Sequence, residues 1–194
     1  MSTRVVVTGL GTVTPNANSV DDFGAALRTG RSGIRADEAM AELGFASRVS
    51  GVPEGTGAIA EARFPEDLLR VMNLSHRYAA IAALDAWSDA GFEPPGPDAE
   101  PDWDTGTVLG TGVGGMDTTA ERVVPFTAEK RVRRLGSTAV EQVMASGVSA
   151  RVSGLLALGN QATTNSSACS TGAEAVAMGA ERIRNGQASR MLCG

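Results

Sequence analysis

Short apolar runs alternate with helical stretches along this 194-residue chain, and glycines separate many of them. The runs predicted as strands are 4–9, 107–110, 162–165 and 189–193. Helices are predicted at 20–29, 66–90, 116–130, 137–158 and 169–185, and 31–65 is predicted to be irregular. Because parallel strands need long, usually helical crossovers, this alternation favours a layered α/β fold with a mostly parallel sheet.

The ends of these helices carry local signals. Ser19 has the character of an N-cap, and Gly30 is a C-terminal stop for the first helix. Gly91 and Gly186 are expected to end two later helices. The long second helix is predicted from apolar side chains that recur at intervals near three or four, between Leu69 and Trp87.

Composition excludes several classes of protein. Only eight residues are aromatic (two Trp, one Tyr, five Phe), so Ala, Val, Leu, Ile and Met must build most of the core. No apolar run is long enough to span a membrane, and the start lacks the apolar segment of a secretory signal, so a cytoplasmic location is expected. The net charge of −5 argues against nucleic-acid binding. The two cysteines lack the spacing of a zinc site or a disulfide framework, so no metal site is expected. No cofactor is expected either.

The strongest chemical signal is the segment Ser166-Ser167-Ala168-Cys169-Ser170-Thr171-Gly172, between a predicted strand and a predicted helix. This arrangement places Cys169 at a helix N-terminus, where unpaired N–H groups and the helix dipole favour the thiolate. The thiolate is the nucleophilic form of cysteine, so Cys169 is a candidate acyl acceptor. A small buried hydrophobe is the alternative role for such a cysteine.

The segment 167–172 resembles the active-site cysteine motif of the β-ketoacyl-[acyl carrier protein] synthases. Four further segments resemble the same family and occur in the family's order: 7–11, 30–34, 110–115 and 144–150. The last is most similar to the elongating synthases of bacterial fatty acid synthesis and to free-standing ketosynthases of polyketide pathways. The resemblance spans the whole chain.

The resemblance implies a thiolase-like αβαβα fold, of which residues 1–194 form the amino-terminal domain, about one αβα half. It also implies a reaction. Cys169 would take an acyl group from a carrier-protein or coenzyme A thioester, and malonyl-acyl carrier protein would lose carbon dioxide and attack that acyl group. The Cys169 N–H would supply part of the oxyanion hole.

The chain departs from the family in its histidines. Elongating synthases use two histidines from the second half of the fold, whereas this chain has only His76, expected as a residue of a helix face. The resemblance therefore implies a complementary carboxy-terminal half. It also implies a homodimer, or a heterodimer with a chain-length factor, in which the strand near 162–165 pairs across the two-fold axis.

A basic run, Lys130-Arg131-Val132-Arg133-Arg134, interrupts an otherwise acidic chain. Related synthases carry basic residues at positions that correspond to Lys130 and Arg133, and near Arg70, so the resemblance implies docking of the acidic acyl carrier protein. A solvated helix end is the alternative interpretation of the run.

The sequence leaves two other functions open. A thiolase or chain-initiating synthase also uses a cysteine, and a chain-length factor resembles a synthase but is not catalytic. Nucleotide binding is disfavoured, because no Gly-Lys-Ser/Thr follows Gly110–Gly115. In the family this segment is a close-packed turn at the end of the sheet.

Overall fold

A three-stranded parallel sheet forms the centre of the protein, as seen in a computed structural model that describes residues 4–194. The first three residues of the predicted domain, 1–194, lie outside the described residues. The strands are β1 (Arg35–Ala36), β2 (Val49–Ser50), β3 (Thr105–Val108), β4 (Ala162–Thr163) and β5 (Arg190–Cys193). The α-helices are α1 (Val20–Thr29), α2 (Glu38–Glu42), α3 (Thr56–Arg63), α4 (Glu66–Val71), α5 (Leu74–Asp89), α6 (Met116–Thr118), α7 (Val124–Ala128), α8 (Thr138–Val143), α9 (Gly147–Leu155) and α10 (Thr171–Arg184).

Strand β3 lies in the middle of the sheet, between β4 and β5, and pairs in parallel with both. Its Thr107 lies opposite Ala162 on one side and Leu192 on the other. Every residue of β3 is buried, as a central parallel strand requires. Three of the four predicted strands are therefore confirmed, with bounds that shift by up to two residues.

Alternate side chains of β5 show that helices cover both faces of this sheet. Leu192 packs against the apolar cluster that α5 and α9 share. Met191 and Cys193 point the other way, where each lies within 4 Å of the position that a Cβ on Gly179 of α10 would take. Because successive residues of a strand point to opposite faces, the order is helix, sheet, helix. The predicted αβα arrangement is confirmed.

The strand predicted at 4–9 is wrong. That segment pairs with no strand among the described residues, and Val7 is 72% exposed. It lies against α5 instead. The Leu10 N–H donates to the Asp89 carboxylate over 2.8 Å, and a Cβ on Gly9 or Gly11 would overlap backbone atoms of α5. An apolar β-branched run becomes a strand only where a neighbouring strand is available.

The helix predicted over 66–90 is two helices, α4 and α5. Met72 is extended, with φ −100° and ψ 131°, and Asn73 accepts a hydrogen bond from the His76 N–H over 2.9 Å. Asparagine is a strong N-cap, so it starts a new helix at Leu74. The apolar periodicity continues across the break and conceals it.

The segment 31–65 is more regular than predicted. It contains the antiparallel hairpin β1–β2 and the helices α2 and α3. Asp37 caps α2 by accepting from the Met40 N–H, and it also accepts from the Ser50 hydroxyl over 2.7 Å. These hydrogen bonds hold the pKa of Asp37 below its usual value. Short two-residue strands and a five-residue helix carry too little periodicity to predict.

The predicted helix signals elsewhere are confirmed. Ser19 accepts from the Asp22 N–H at the start of α1, and Gly30 has φ +67° at its end. Gly91 and Gly186 also have positive φ. A π-helical turn joins α6 to α7, and a break before Gly147 divides the stretch predicted as helical over 137–158 into α8 and α9.

Helix α5 lies at the centre of the packing, because it contributes to two buried clusters. Ala83 packs with residues of α9 and Leu109, while Ala80 and Ile81 pack with α3 and Phe64. The core is made mainly of small and aliphatic side chains, as composition predicted. Within residues 4–194, no helix has the length and apolarity needed to cross a bilayer.

His76, near the start of α5, is 1% exposed, and neither ring nitrogen has a hydrogen-bond partner among the described residues. A Cβ on Gly147 would lie 2.5 Å from Nε2, so the ring occupies the space above the start of α9. Burial lowers the pKa of His76, the positive charge of Arg151 lowers it further, and Glu141 and Asp117 partly oppose this. The ring is therefore neutral in the folded protein at neutral pH.

Replacing His76 should change how stability depends on pH. The unfolded histidine binds a proton near its usual pKa of 6.5, whereas the folded ring does so only at lower pH. Unfolding therefore takes up a proton as the pH falls below 6.5, and the free energy of unfolding decreases. We expect the melting temperature of the wild type to fall more than that of His76→Gln between about pH 7.5 and about pH 5.5. Parallel changes in the two proteins would contradict this.

Candidate active site

Cys169 lies in the tight turn that joins the sheet to α10. Strand β4 ends at Thr163, the turn spans Ala168–Ser170, and α10 begins at Thr171. The predicted strand–turn–helix junction is confirmed, although the helix begins two residues after Cys169 rather than at it. Ala168 has φ +51°, a left-handed conformation that is unfavourable for a residue with a side chain.

Several hydrogen bonds hold this turn. The Thr171 hydroxyl accepts from the Ser167 N–H over 2.9 Å and donates to the Ala168 carbonyl over 2.8 Å. The Asn165 amide donates to the Thr171 carbonyl over 2.8 Å, and the Ser167 hydroxyl donates to Glu174 over 2.5 Å. The turn is therefore fixed to both the strand before it and the helix after it.

The two cysteines have different environments. Cys169 is exposed, and its neighbours Ala168 and Ser170 are also exposed, so a thioester can approach the sulfur. Cys193 lies in β5 against α10, and burial raises its pKa to about 11. Cys193 is therefore a thiol at neutral pH, consistent with a packing role.

The glycine segment Gly110–Gly115 lies beside the Cys169 turn and packs against protein backbone. A Cβ on Gly110 would overlap the Thr171 methyl group and the Asn165 carbonyl, and a Cβ on Gly115 would overlap the Gln142 carbonyl. The segment is a close-packed turn at the end of β3, as the family resemblance implies.

The three predicted docking residues lie on separate elements, and all three are exposed. Arg70 lies in the last turn of α4, Lys130 follows α7 with φ +57°, and Arg133 lies in a 3-10 turn over Val132–Arg134. Among residues 4–194, Lys130 and Arg133 form no ion pair, whereas Arg131 pairs with Glu129 over 2.5 Å.

A buried amide links the backbone at Arg70 to the backbone that follows the basic run. Gln142 is 4% exposed, and its side-chain amide donates to the Arg70 carbonyl over 3.4 Å and accepts from Arg122 over 2.7 Å. Arg122 also donates to the Leu135 carbonyl, just after the basic run. This network fixes the backbone near Arg70 relative to the backbone near Arg133. Sequence reasoning missed Gln142 and Arg122, because neither lies in a recognisable motif.

Other features of the surface do not point to a different centre. A groove of about 370 Å³ lies beside Arg70, and none of its lining residues belongs to the Cys169 turn. Within the described part of the chain, no group of three or more His, Cys, Asp or Glu side chains is placed to hold a metal ion.

Comparison with known proteins gives the family. The β-ketoacyl synthase N-terminal domain matches residues 2–194. The 3-oxoacyl-[acyl-carrier-protein] synthase 2 of Vibrio cholerae is 29% identical over 191 residues, 98% of this chain and 45% of the relative. The tetracenomycin polyketide synthase ketoacyl synthase beta subunit of Streptomyces glaucescens is 31% identical over 141 residues, 73% of this chain and 31% of the relative. A chain of the ishigamide ketosynthase/chain length factor superposes with a TM-score of 0.82 at 27% identity, covering all of this chain and 47% of that one.

The layered packing and these alignments place the chain in the thiolase-like fold class. The chain belongs to the β-ketoacyl synthase family and corresponds to its N-terminal domain. It spans about half the length of the relatives that it matches over its whole length.

Adding a side chain at Gly110 should destabilise the protein. In Gly110→Ala the new methyl group overlaps Thr171 and the Asn165 backbone, and overpacking of this kind costs about 1–3 kcal/mol. Gly112→Ala is the matched control, because the nearest atom, the Ala168 Cα, lies 3.9 Å from the added Cβ. Urea denaturation of both variants tests this, and equal losses of stability would contradict the proposed close packing.

Proposed function

We propose that this chain carries the nucleophile of a β-ketoacyl-acyl carrier protein synthase, with Cys169 as the acyl acceptor. The observation that carries the proposal is an exposed cysteine in a left-handed turn between a parallel strand and a helix, in a chain of this family. The name of the Vibrio relative, a 3-oxoacyl-[acyl-carrier-protein] synthase, supports carrier-bound thioesters as substrates.

The reaction proceeds in two transfers. The Cys169 thiolate attacks the carbonyl carbon of an acyl thioester, the bond to the carrier sulfur breaks, and the carrier thiol leaves. Malonyl-acyl carrier protein then loses carbon dioxide, and the resulting carbanion attacks the acyl-cysteine. A carbon–carbon bond forms as the bond to Cys169 breaks, which releases a 3-ketoacyl thioester two carbons longer and regenerates the thiolate. No cofactor enters either step.

Backbone donors near Cys169 stabilise the charge that develops in both transfers. The Cys169 N–H contributes to the oxyanion hole, because fixed donors stabilise a tetrahedral oxyanion without reorganising. The turn held by Thr171 supports this role, since it fixes the backbone on either side of the sulfur.

The remaining groups belong to a complementary carboxy-terminal half. His76 is buried in the core and cannot contact a substrate bound at Cys169. The decarboxylation step therefore needs groups from that half. Apolar side chains on several elements are exposed and suit such a partner surface: Val113, Met116, Val140, Met144 and Val176.

The assembly is a homodimer or a heterodimer with a chain-length factor. Strand β4 is an edge of the three-stranded sheet, so its free side is available for pairing across a two-fold axis. The solved ishigamide ketosynthase/chain length factor supports a heterodimer as one form.

A non-catalytic partner subunit is the second candidate function. The ketoacyl synthase beta subunit of the tetracenomycin system is 31% identical to this chain, which is close to the 29% of the Vibrio synthase. Overall identity therefore does not separate the two roles, and the chemistry of Cys169 does.

Replacing Cys169 tests the catalytic role. Cys169→Ala should abolish acyl transfer and lower condensation at least about 1,000-fold, because no other exposed thiol in residues 4–194 can replace it. The native protein is purified with its co-purifying chains and incubated with acyl thioester, and the acylated peptide is identified by mass spectrometry. Cys193→Ala is the matched control and should retain acylation, because Cys193 is half-buried and protonated at neutral pH. Condensation that survives in Cys169→Ala would favour the partner-subunit role.

The exposed basic residues form the proposed docking surface for acyl carrier protein, which comprises Arg70, Lys130 and Arg133. Within residues 4–194 none of the three forms a salt bridge, so their charges are free to attract an acidic partner. Attraction between exposed charges mainly accelerates encounter, and salt screens it.

Charge reversal tests this surface. The double variant Lys130→Glu with Arg133→Glu should raise KM for carrier-bound substrate on the order of 10-fold and leave small acyl thioesters unaffected. Arg48→Glu, which reverses an exposed charge just before β2, is the matched control and should change neither. Equal effects on carrier-bound and small substrates would contradict docking at this surface.

A further inference from the structure

The turn that presents Cys169 is held in an unfavourable backbone conformation. Ala168, the residue before Cys169, has φ +51°, where its Cβ crowds the backbone. A conformation of this kind persists only when surrounding contacts determine it. The contacts that hold Ala168 therefore determine where the next residue places its sulfur.

One hydroxyl supplies those contacts on both sides of Ala168. The Thr171 Oγ1 accepts from the N–H of Ser167, the residue before Ala168, over 2.9 Å. The same atom donates to the carbonyl of Ala168 over 2.8 Å, and the Thr171 N–H donates to that carbonyl as well. Thr171 is only 6% exposed, so water competes little for these hydrogen bonds.

Thr171 is in turn fixed to the sheet. Its carbonyl accepts from the Asn165 amide over 2.8 Å, and Asn165 lies two residues beyond the end of β4. Its methyl group occupies the space that a Cβ on Gly110, just beyond β3, would take. Thr171 therefore links the solvent-exposed turn to the sheet, and its hydroxyl fixes the turn relative to the strands.

We infer that Thr171 is a positioning residue, whose hydroxyl holds the Ala168 turn so that the Cys169 sulfur faces an incoming thioester. This inference rests on the proposed function and assigns it a residue that does not touch the substrate. Small displacements of a nucleophile slow transfer strongly, because the reacting atoms must lie close together and aligned.

The test measures acylation of Cys169 in the native protein with its co-purifying chains. An acyl-coenzyme A is added, and the acylated peptide is followed by mass spectrometry as a function of time. Thr171→Val keeps the shape of the side chain and removes the hydroxyl, whereas Thr171→Ser keeps the hydroxyl. Thr164→Val is the matched control, because it removes another partly buried hydroxyl, one that hydrogen-bonds to Ser149 over 2.5 Å.

We expect Thr171→Val to slow acylation about 10-fold or more, with Thr171→Ser and Thr164→Val within about 3-fold of wild type. Cys193 reports folding in the same samples, because this half-buried thiol packs against α10 and should react faster with iodoacetamide if the protein opens. Wild-type acylation rates in Thr171→Val would overturn the inference. If Thr171→Val exposes Cys193, Thr171→Ser is compared with Thr171→Ala instead, because only the serine variant retains a hydroxyl. Equal acylation rates in these two variants would overturn the inference.

Failure of the proposed function gives a different result. In that case wild-type Cys169 is not acylated by any thioester. The positioning role is then tested with iodoacetamide, by the ratio of the alkylation rate of Cys169 to that of Cys193. This ratio should be lower in Thr171→Ala than in Thr171→Ser. Equal ratios in those two variants would overturn the positioning role on its own.

Discussion

The parallel pairing of β3 with β4 and β5 is the constraint on which the remaining structure depends. Parallel strands end at the same edge of a sheet, so the residues that follow β3 and β4 meet there. This brings Gly110 against Thr171 and Asn165, although about sixty residues separate them in the chain. The missing side chain at Gly110 lets the Cys169 turn sit directly on the sheet.

Much of the fold could be predicted because it depends on local patterns. Strands with buried β-branched residues, helix caps at Ser19 and Gly30, and the strand–turn–helix junction at Cys169 all carry their signal within a few neighbouring residues. The errors occurred where distant partners decide the outcome. The segment 4–9 has the composition of a strand, yet it packs on α5 because no strand of the described chain lies beside it.

The candidate site divides in the same way. Cys169 could be predicted as a candidate nucleophile from its motif, and Lys130 and Arg133 as candidate docking residues from their charge. Each of these signals lies in residues that are adjacent in the sequence. The residues that hold them in place could not be found so directly. Thr171 acts through the left-handed turn at Ala168, and Gln142 acts through hydrogen bonds to Arg70 and Arg122, which lie 72 and 20 residues away. Both depend on distances that only the folded chain defines.

The left-handed backbone of Lys130 has an evolutionary consequence. Glycine would adopt φ +57° without the crowding that a lysine side chain imposes, so selection for thermal tolerance alone would favour glycine at this position. Such a substitution would also remove a positive charge from the proposed docking surface. Stability of the fold therefore favours glycine at this position, whereas the proposed docking of acyl carrier protein favours lysine.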